Sequence, residues 1–205
     1  MTEAEIRPRG RMSGKERRAQ LIEVGRKLFA EKGYDGTSVE EIAAVAGVSK
    51  PVVYEHFGGK EGLYAVVVDR EVQRLLDGIT SALTGGSARV LLEQATFALL
   101  DYIETNTDGF RILVRDSPVA QATGTFASLI VDIAGQVEHL VAGEFKARGL
   151  DAKFAPMYSQ MMVGMVAFTG QWWLDARKPK IEVVASNLID VAWSGLAQLE
   201  TNDKK

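Results

Sequence analysis

The chain has no cysteine and only two histidines, His56 and His139, in 205 residues. Without thiols, disulfides, thiolate metal sites and cysteine nucleophiles are all excluded. Neither histidine has a second histidine at ligand spacing, and no glycine-rich loop of phosphate-cradling type is present. Asp101 and Glu104 come closest to a catalytic carboxylate pair, but acids three apart on a helix ordinarily form a solvated face. An enzyme is therefore not expected, and no cofactor or metal is called for. No apolar run reaches the roughly 18 residues of a membrane span. Residues 1 to 12 carry charges and no apolar core, unlike a secretory signal. A cytoplasmic location with no membrane partner is expected. Strand-type alternation, internal repeats and low-complexity blocks are also missing, which leaves an all-α chain.

What is present is concentrated between Thr37 and Lys60. Thr37-Ser38-Val39-Glu40 fits a capping box in which Thr37 is the cap and Glu40 reaches back. Val39, Ile42, Ala43 and Ala46 then recur at helical spacing, with Ala43 small enough for a close crossing. Gly47 suits a left-handed C-terminal position. Val48 fills the corner, Ser49 caps a second helix, and Pro51 is tolerated in its first turn. That second helix, about Lys50 to Phe57, turns Val53 and Phe57 inward. It leaves Lys50, Val52, Tyr54 and His56 outside. Lysine, tyrosine and histidine can donate to phosphates, and proline and valine can touch thymine methyls. Gly58-Gly59 ends it, and Lys60 opens the next helix, where its charge and the free amides could hold phosphate. Two helices and a tight turn place a reader in the DNA major groove, although a plain helical hairpin shares the spacing.

Charge distribution favours the DNA reading. The net charge is −3, yet residues 7 to 18 hold Arg7, Arg9, Arg11, Lys15, Arg17 and Arg18 against Glu16 alone. Residues 71 to 205 hold 12 basic and 16 acidic residues, a balance of −4. A basic end ahead of an acidic body is expected when one end alone meets DNA. Arg17 and Arg18, near the start of the first helix, are the better contacts, since residues 1 to 12 read equally well as a solubilising tail.

The run from Gly33 to Leu63, G-Y-D-G-T-S-V-E-E-I-A-A-V-A-G-V-S-K-P-V-V-Y-E-H-F-G-G-K-E-G-L, resembles the N-terminal domain of the TetR family of bacterial transcriptional regulators. Leu28-Phe29-Ala30-Glu31-Lys32-Gly33 upstream is similar too. The resemblance implies a three-helix head whose third helix reads DNA. The implied contacts are Arg17, Arg18, Thr37, Ser38, Ser49, Lys50, Pro51, Val52, Tyr54, His56 and Lys60. Gly59 departs from the family, where serine or asparagine often caps the fourth helix. The implied division is a flexible basic arm over 1–12, a helix-turn-helix domain over 13–59, and a ligand-binding and dimerisation domain over 60–205.

Ser13-Gly14-Lys15-Glu16 is a second capping box, opening a first helix with a stripe of Leu21, Gly25, Leu28 and Phe29. Helix four should run from Lys60 to about Leu83, a mechanical link of about 36 Å. Further helices are expected over 87–105, 108–114, 119–148, 156–176 and 181–199, about nine in all. The segment from Met157 to Leu174 is apolar almost all round, so more than one side must be covered. Gly164 and Gly170 within it suggest close helix approach or room for a ligand. Phe97, Leu100, Phe110, Phe126, Ile130, Met161, Met165, Phe168 and Trp172 could line an apolar tunnel, with Arg111 or Arg115 at its mouth. In TetR-like proteins the last two long helices form a four-helix dimer interface, which implies a homodimer on a palindromic operator. Asp101-Tyr102-Ile103-Glu104, Gly109-Phe110-Arg111-Ile112-Leu113 and Trp173-Leu174-Asp175-Ala176-Arg177-Lys178-Pro179 resemble actinobacterial regulators of fatty-acid synthesis genes. That implies a small apolar effector such as a long-chain acyl-CoA. The expected function is a ligand-responsive repressor, the alternatives being an activator of fatty-acid synthesis genes or an architectural DNA binder with no effector.

Overall fold

The structure, a computed structural model, describes residues 12–115, 126–197 and Leu199. The arginines of the basic arm, the start of the helix expected over 119–148 and the end of the last expected helix lie outside the described residues. Nine α-helices and one short 3-10 turn make up the regular structure of the described residues. They are α1 (Gly14–Lys32), α2 (Val39–Ala46), α3 (Lys50–Phe57), α4 (Lys60–Ala82), α5 (Ala88–Thr105), α6 (Thr107–Val114), α7 (Phe126–Ala147), α8 (Ala155–Ala176) and α9 (Ile181–Ala197). They fall into two compact units that divide between Val67 and Val68, within α4.

In the first unit α1 starts at the expected capping box. The Ser13 amide donates to the Glu16 carboxylate at 2.8 Å and the Glu16 amide to the Ser13 hydroxyl at 3.3 Å. The Ser13 amide, and the Ser13 hydroxyl that also donates to this carboxylate, hold the Glu16 carboxyl below its usual range. Leu21, Ile22, Gly25, Leu28 and Phe29 are buried, as the stripe predicts. A Cβ on Gly25 would stand 2.9 Å from the Leu63 side chain, so glycine lets the start of α4 lie against α1. Edge-on ring contacts of Tyr64 with Phe29, at 4.9 Å, and with Tyr34, at 5.1 Å, extend this core. The first unit therefore continues past the start of α4.

The second unit is a helical bundle in which α7 and α8 pack together and α5 lies against both α8 and α9. A Cβ on Gly170 would meet Ile103 at 2.6 Å, which marks the close approach of α8 to α5. Gly164 has open space at the same position. Glu71 of α4 is buried, accepts a 2.8 Å bond from the Tyr102 hydroxyl and pairs with Arg74 at 2.7 Å. A Cβ on Gly109 would collide with its carboxylate, so α6 can lie beside it only with glycine there. At the end of α8, Arg177 adopts a left-handed φ of 52°, donates to the Thr107 hydroxyl at 2.9 Å and covers the Trp173 ring. The Trp173 indole donates to the Pro179 carbonyl at 2.8 Å. The segments that carry the second resemblance thus join α4, α5, α6 and α8.

Among the described residues α7 is the one helix long and apolar enough to cross a membrane, with a mean hydropathy of 1.2. The expectation that no such run exists is corrected on that point. Its Leu129, Ile130, Ala134, Val141 and Phe145 are buried within the second unit.

Candidate functional site

The turn between α2 and α3 is set by Gly47, in left-handed geometry at φ 66°. The Val48 amide donates to the Ala43 carbonyl at 2.9 Å and the Gly47 amide to that of Ala44 at 3.1 Å, which closes α2. Val53 is fully buried and anchors α3, while Phe57 is half-buried. Two side chains of α1 then bind the open ends of the pair. Gln20 donates to the Ala46 carbonyl at 3.1 Å, at the end of α2. Arg18 donates to the His56 carbonyl at 2.8 Å and lies 4.3 Å over the Phe57 ring, at the end of α3. A cation there also complements the helix dipole.

The expected DNA contacts separate into two groups. Ser38, at the cap of α2, is exposed; on α3 and its cap Ser49, Lys50, Pro51 and Tyr54 are exposed and Val52 and His56 are half-buried. Tyr54 keeps 54% of its surface open while its ring rests against Gly59. Arg17 is half-buried and donates to Gln20 at 2.6 Å. Three expectations need correction. Thr37 is buried and is not the cap: its hydroxyl donates to the Gly33 carbonyl at 2.8 Å, and Ser38 accepts the Glu41 amide at 3.1 Å instead. Arg18 is engaged with α3, as described. Lys60 is held inside the unit, donating to the Tyr34 carbonyl at 2.9 Å and lying 4.1 Å over that ring. Burial there pushes the Tyr34 phenol up, with Glu61 and Asp35 adding to the shift. Ser49 occupies the cap position but makes no capping hydrogen bond with its side chain.

Lys50 is ion-paired with Glu40, and Lys32 with Glu41. The hydrogen bond from Lys50 holds the Glu40 carboxyl below its usual range, and Glu41 pushes the Lys32 amine up. Glu55 is a further exposed group on α3 that the residue pattern left unnamed. A carboxylate there repels phosphate and can accept only from a base amino group.

The second unit encloses an apolar cavity of about 130 Å³. Leu75 and Ile79 of α4, with Leu83 just beyond its end, form one wall and Leu91, Leu92, Thr96 and Leu99 of α5 another. Phe126, Ile130, Ile133, Val137 and Val141 come from α7, Met162 and Val166 from α8, Trp193 and Leu196 from α9. Two lining residues are polar. Thr96 is fully buried, and its hydroxyl is the buried side-chain group left without a hydrogen-bond partner among the described residues. Glu144 is held by Arg148 at 2.5 Å, and Arg148 also donates to the Leu196 carbonyl at 3.1 Å and covers Trp193.

Of the tunnel residues expected from sequence, Phe126 and Ile130 line this cavity. The others are corrected. Leu100 and Phe110 are fully buried in the packed core beside it. Met161, Phe168 and Trp172 are more than half exposed, on the side of α8 away from Met162 and Val166. Phe97 lines a separate shallow depression with Asp101, Glu104 and Glu182. Met165, Arg111 and Arg115 are absent from the lining. This wall was legible, because Leu75, Ile79 and Leu83 recur every four residues along the helix expected to run to about Leu83.

Comparison with known proteins gives this geometry a family. Residues 21–67 match the model described as bacterial regulatory proteins, tetR family. Residues 89–195, more than half of the chain, match the model of the tetracyclin repressor-like C-terminal domain. The HTH-type transcriptional activator FasR of Mycolicibacterium smegmatis is 30% identical over 200 residues, covering 92% of this chain and 87% of that protein. The crystal structure of a TetR-like transcriptional regulator from Rhodococcus sp. RHA1 superposes with a TM-score of 0.78 at 24% identity, over 92% of this chain and 100% of that one. A tetR-family regulator from Streptomyces coelicolor does so with a TM-score of 0.71 at 26% identity, over 91% and 82%. With its helix-turn-helix head and its helical C-terminal unit, the chain belongs to the TetR family of DNA-binding transcriptional regulators.

Proposed function

We propose that the protein binds a palindromic operator as a homodimer and is controlled by a small apolar effector held in the cavity of the second unit. The observation that carries this reading is the cavity itself, an almost wholly apolar space in a unit attached to a DNA-binding head. A purely architectural DNA binder has no use for such a space. Resemblance of the C-terminal segments to regulators of fatty-acid synthesis supports a fatty acyl-CoA or another lipid-like effector. Dimerisation through α8 and α9 is supported by large apolar side chains left open on both: Met157, Met161, Phe168 and Trp172 on α8, Val183 and Val191 on α9. A second copy of the same surface covers them and supplies the second reading helix that a palindrome requires.

The DNA contacts in this reading come from Ser38, Ser49, Lys50, Pro51, Val52, Tyr54 and His56, with Arg17 on a flanking phosphate. Arg18 and Lys60 hold the head in shape. Because α4 carries Leu75 and Ile79 of the cavity wall and also begins inside the head, it is the element through which occupancy would reach the reader. Effector and DNA affinities are then reciprocally coupled, typically by about 1–3 kcal/mol.

Repression by operator occupancy is the first reading. Activation is the second, favoured by the 30% identical relative from Mycolicibacterium smegmatis, which is a transcriptional activator. Mass spectrometry of small molecules that copurify with the native protein tests the effector. Recovery of a fatty acyl species supports the reading, and recovery of a cationic drug-like compound contradicts it. Addition of the recovered species should then change operator affinity by about 5–150-fold.

A further inference from the structure

Thr96 lies on the stripe of α5 formed by Leu92, Leu99 and Ile103, where an apolar residue would be expected. It is fully buried, it lines the cavity, and its hydroxyl has no partner among the described residues. Helical hydroxyls usually bond to the carbonyl four residues back. Others in this chain do so: Thr105 to Asp101 at 2.8 Å, Thr107 to Ile103 at 2.9 Å and Ser159 to Ala155 at 2.9 Å. A buried hydroxyl left unpaired is destabilising, so its presence beside an open space needs an explanation.

We infer that Thr96 is the polar anchor of the cavity and selects an apolar chain carrying a neutral oxygen group, a hydroxyl or an ester-type carbonyl. This rests on the reading of the cavity as the effector site. A hydroxyl both donates and accepts, so it satisfies either group. An ionised carboxylate is disfavoured, because among the described lining residues Glu144 alone carries charge, and that charge is negative. The nearby cation, Arg148, is committed to Glu144, the Leu196 carbonyl and the Trp193 ring. A plain hydrocarbon fills the space but leaves the hydroxyl unpaired.

The test uses full-length wild type, Thr96→Val and Thr96→Ser. Calorimetry and thermal midpoints are measured with 1-decanol, methyl decanoate, 1-chlorodecane and, at pH 8, decanoate. Wild type and Thr96→Ser should bind decanol and the methyl ester, and Thr96→Val should bind both about tenfold more weakly. Binding of 1-chlorodecane should not respond to the substitution, and decanoate should bind more weakly than decanol. Without ligand, Thr96→Val should match or exceed the wild-type midpoint, since it removes an unpaired buried hydroxyl. Equal affinity of Thr96→Val and wild type for both oxygen-bearing probes overturns the anchor alone. So does a fall of several degrees in the ligand-free midpoint of Thr96→Val. Tightest binding by decanoate overturns the neutral ligand class. Failure of all four probes to bind wild type overturns the cavity reading and the anchor with it.

Discussion

Lys50 and Arg18 are both cations at the ends of α3, but they are placed for different tasks. Lys50 is exposed at the start of α3 and paired with Glu40, whose carboxyl it holds below the usual range. In the proposed DNA complex, phosphate must compete with that carboxylate for Lys50. Glu40→Gln should therefore tighten operator binding and steepen its salt dependence by about one phosphate contact, read by fluorescence anisotropy between 50 and 200 mM salt. The sign with pH follows. A depressed carboxyl contributes its pairing above the ordinary glutamate value and loses it as pH falls through the depressed one. Acidification through that window should free Lys50 in wild type and leave Glu40→Gln unchanged. Arg18, by contrast, closes the end of α3. Arg18→Ala should destabilise the head by about 1–2 kcal/mol in a denaturation series, with weaker operator binding as a consequence. Residue-level reading found the exposed face of α3 but misplaced the cap of α2. Thr37-Ser38-Val39-Glu40 and Ser38-Val39-Glu40-Glu41 both offer a hydroxyl followed by a glutamate three residues on. Only the packed structure shows that the Thr37 hydroxyl is needed at the Gly33 carbonyl, which leaves the cap to Ser38.

Glycine positions show what the helices require of one another. Gly170 and Gly135 both sit inside long helices, α8 and α7, and by propensity alone alanine would stabilise either by about 0.5–1 kcal/mol. Ile103 stands where a Gly170 Cβ would go, and nothing stands near Gly135. Gly170→Ala should lower stability by about 1–3 kcal/mol, whereas Gly135→Ala should be neutral or stabilising, as chemical denaturation of the two variants would show. Element boundaries were largely legible, because Ser13, Ser87, Gly33, Gly47 and Gly58 mark starts and stops with specific backbone chemistry. The rotational phase of α8 was not. A helix that is apolar nearly all round has no polar side to orient it. Thus Met161, Phe168 and Trp172 could be assigned to a tunnel that Met162 and Val166 line instead. Buried Glu71 was legible in principle, since it lies in phase with Val68 and Leu75 on the inward face of α4.

For the whole molecule, the exposed apolar side chains of α8 and α9 fit a second copy, which the proposed reading of a palindrome by α3 requires. Trp172→Glu, which puts charge into a surface now 55% open, should shift sedimentation equilibrium from dimer toward monomer and weaken operator binding, while leaving helical content by circular dichroism unchanged. The expectation of a homodimer rests on family resemblance, since an exposed apolar stripe does not name its partner. The account as a whole turns on α3 reading DNA in pairs. In vitro selection from a random duplex library, scored with wild type and Tyr54→Ala, tests this most directly. Wild type should enrich an inverted repeat with half-sites about one helical turn, or 34 Å, apart. Tyr54→Ala should lose that enrichment while its thermal midpoint stays close to wild type. Enrichment of no inverted repeat by wild type, or of the same repeat by Tyr54→Ala at undiminished affinity, would contradict it.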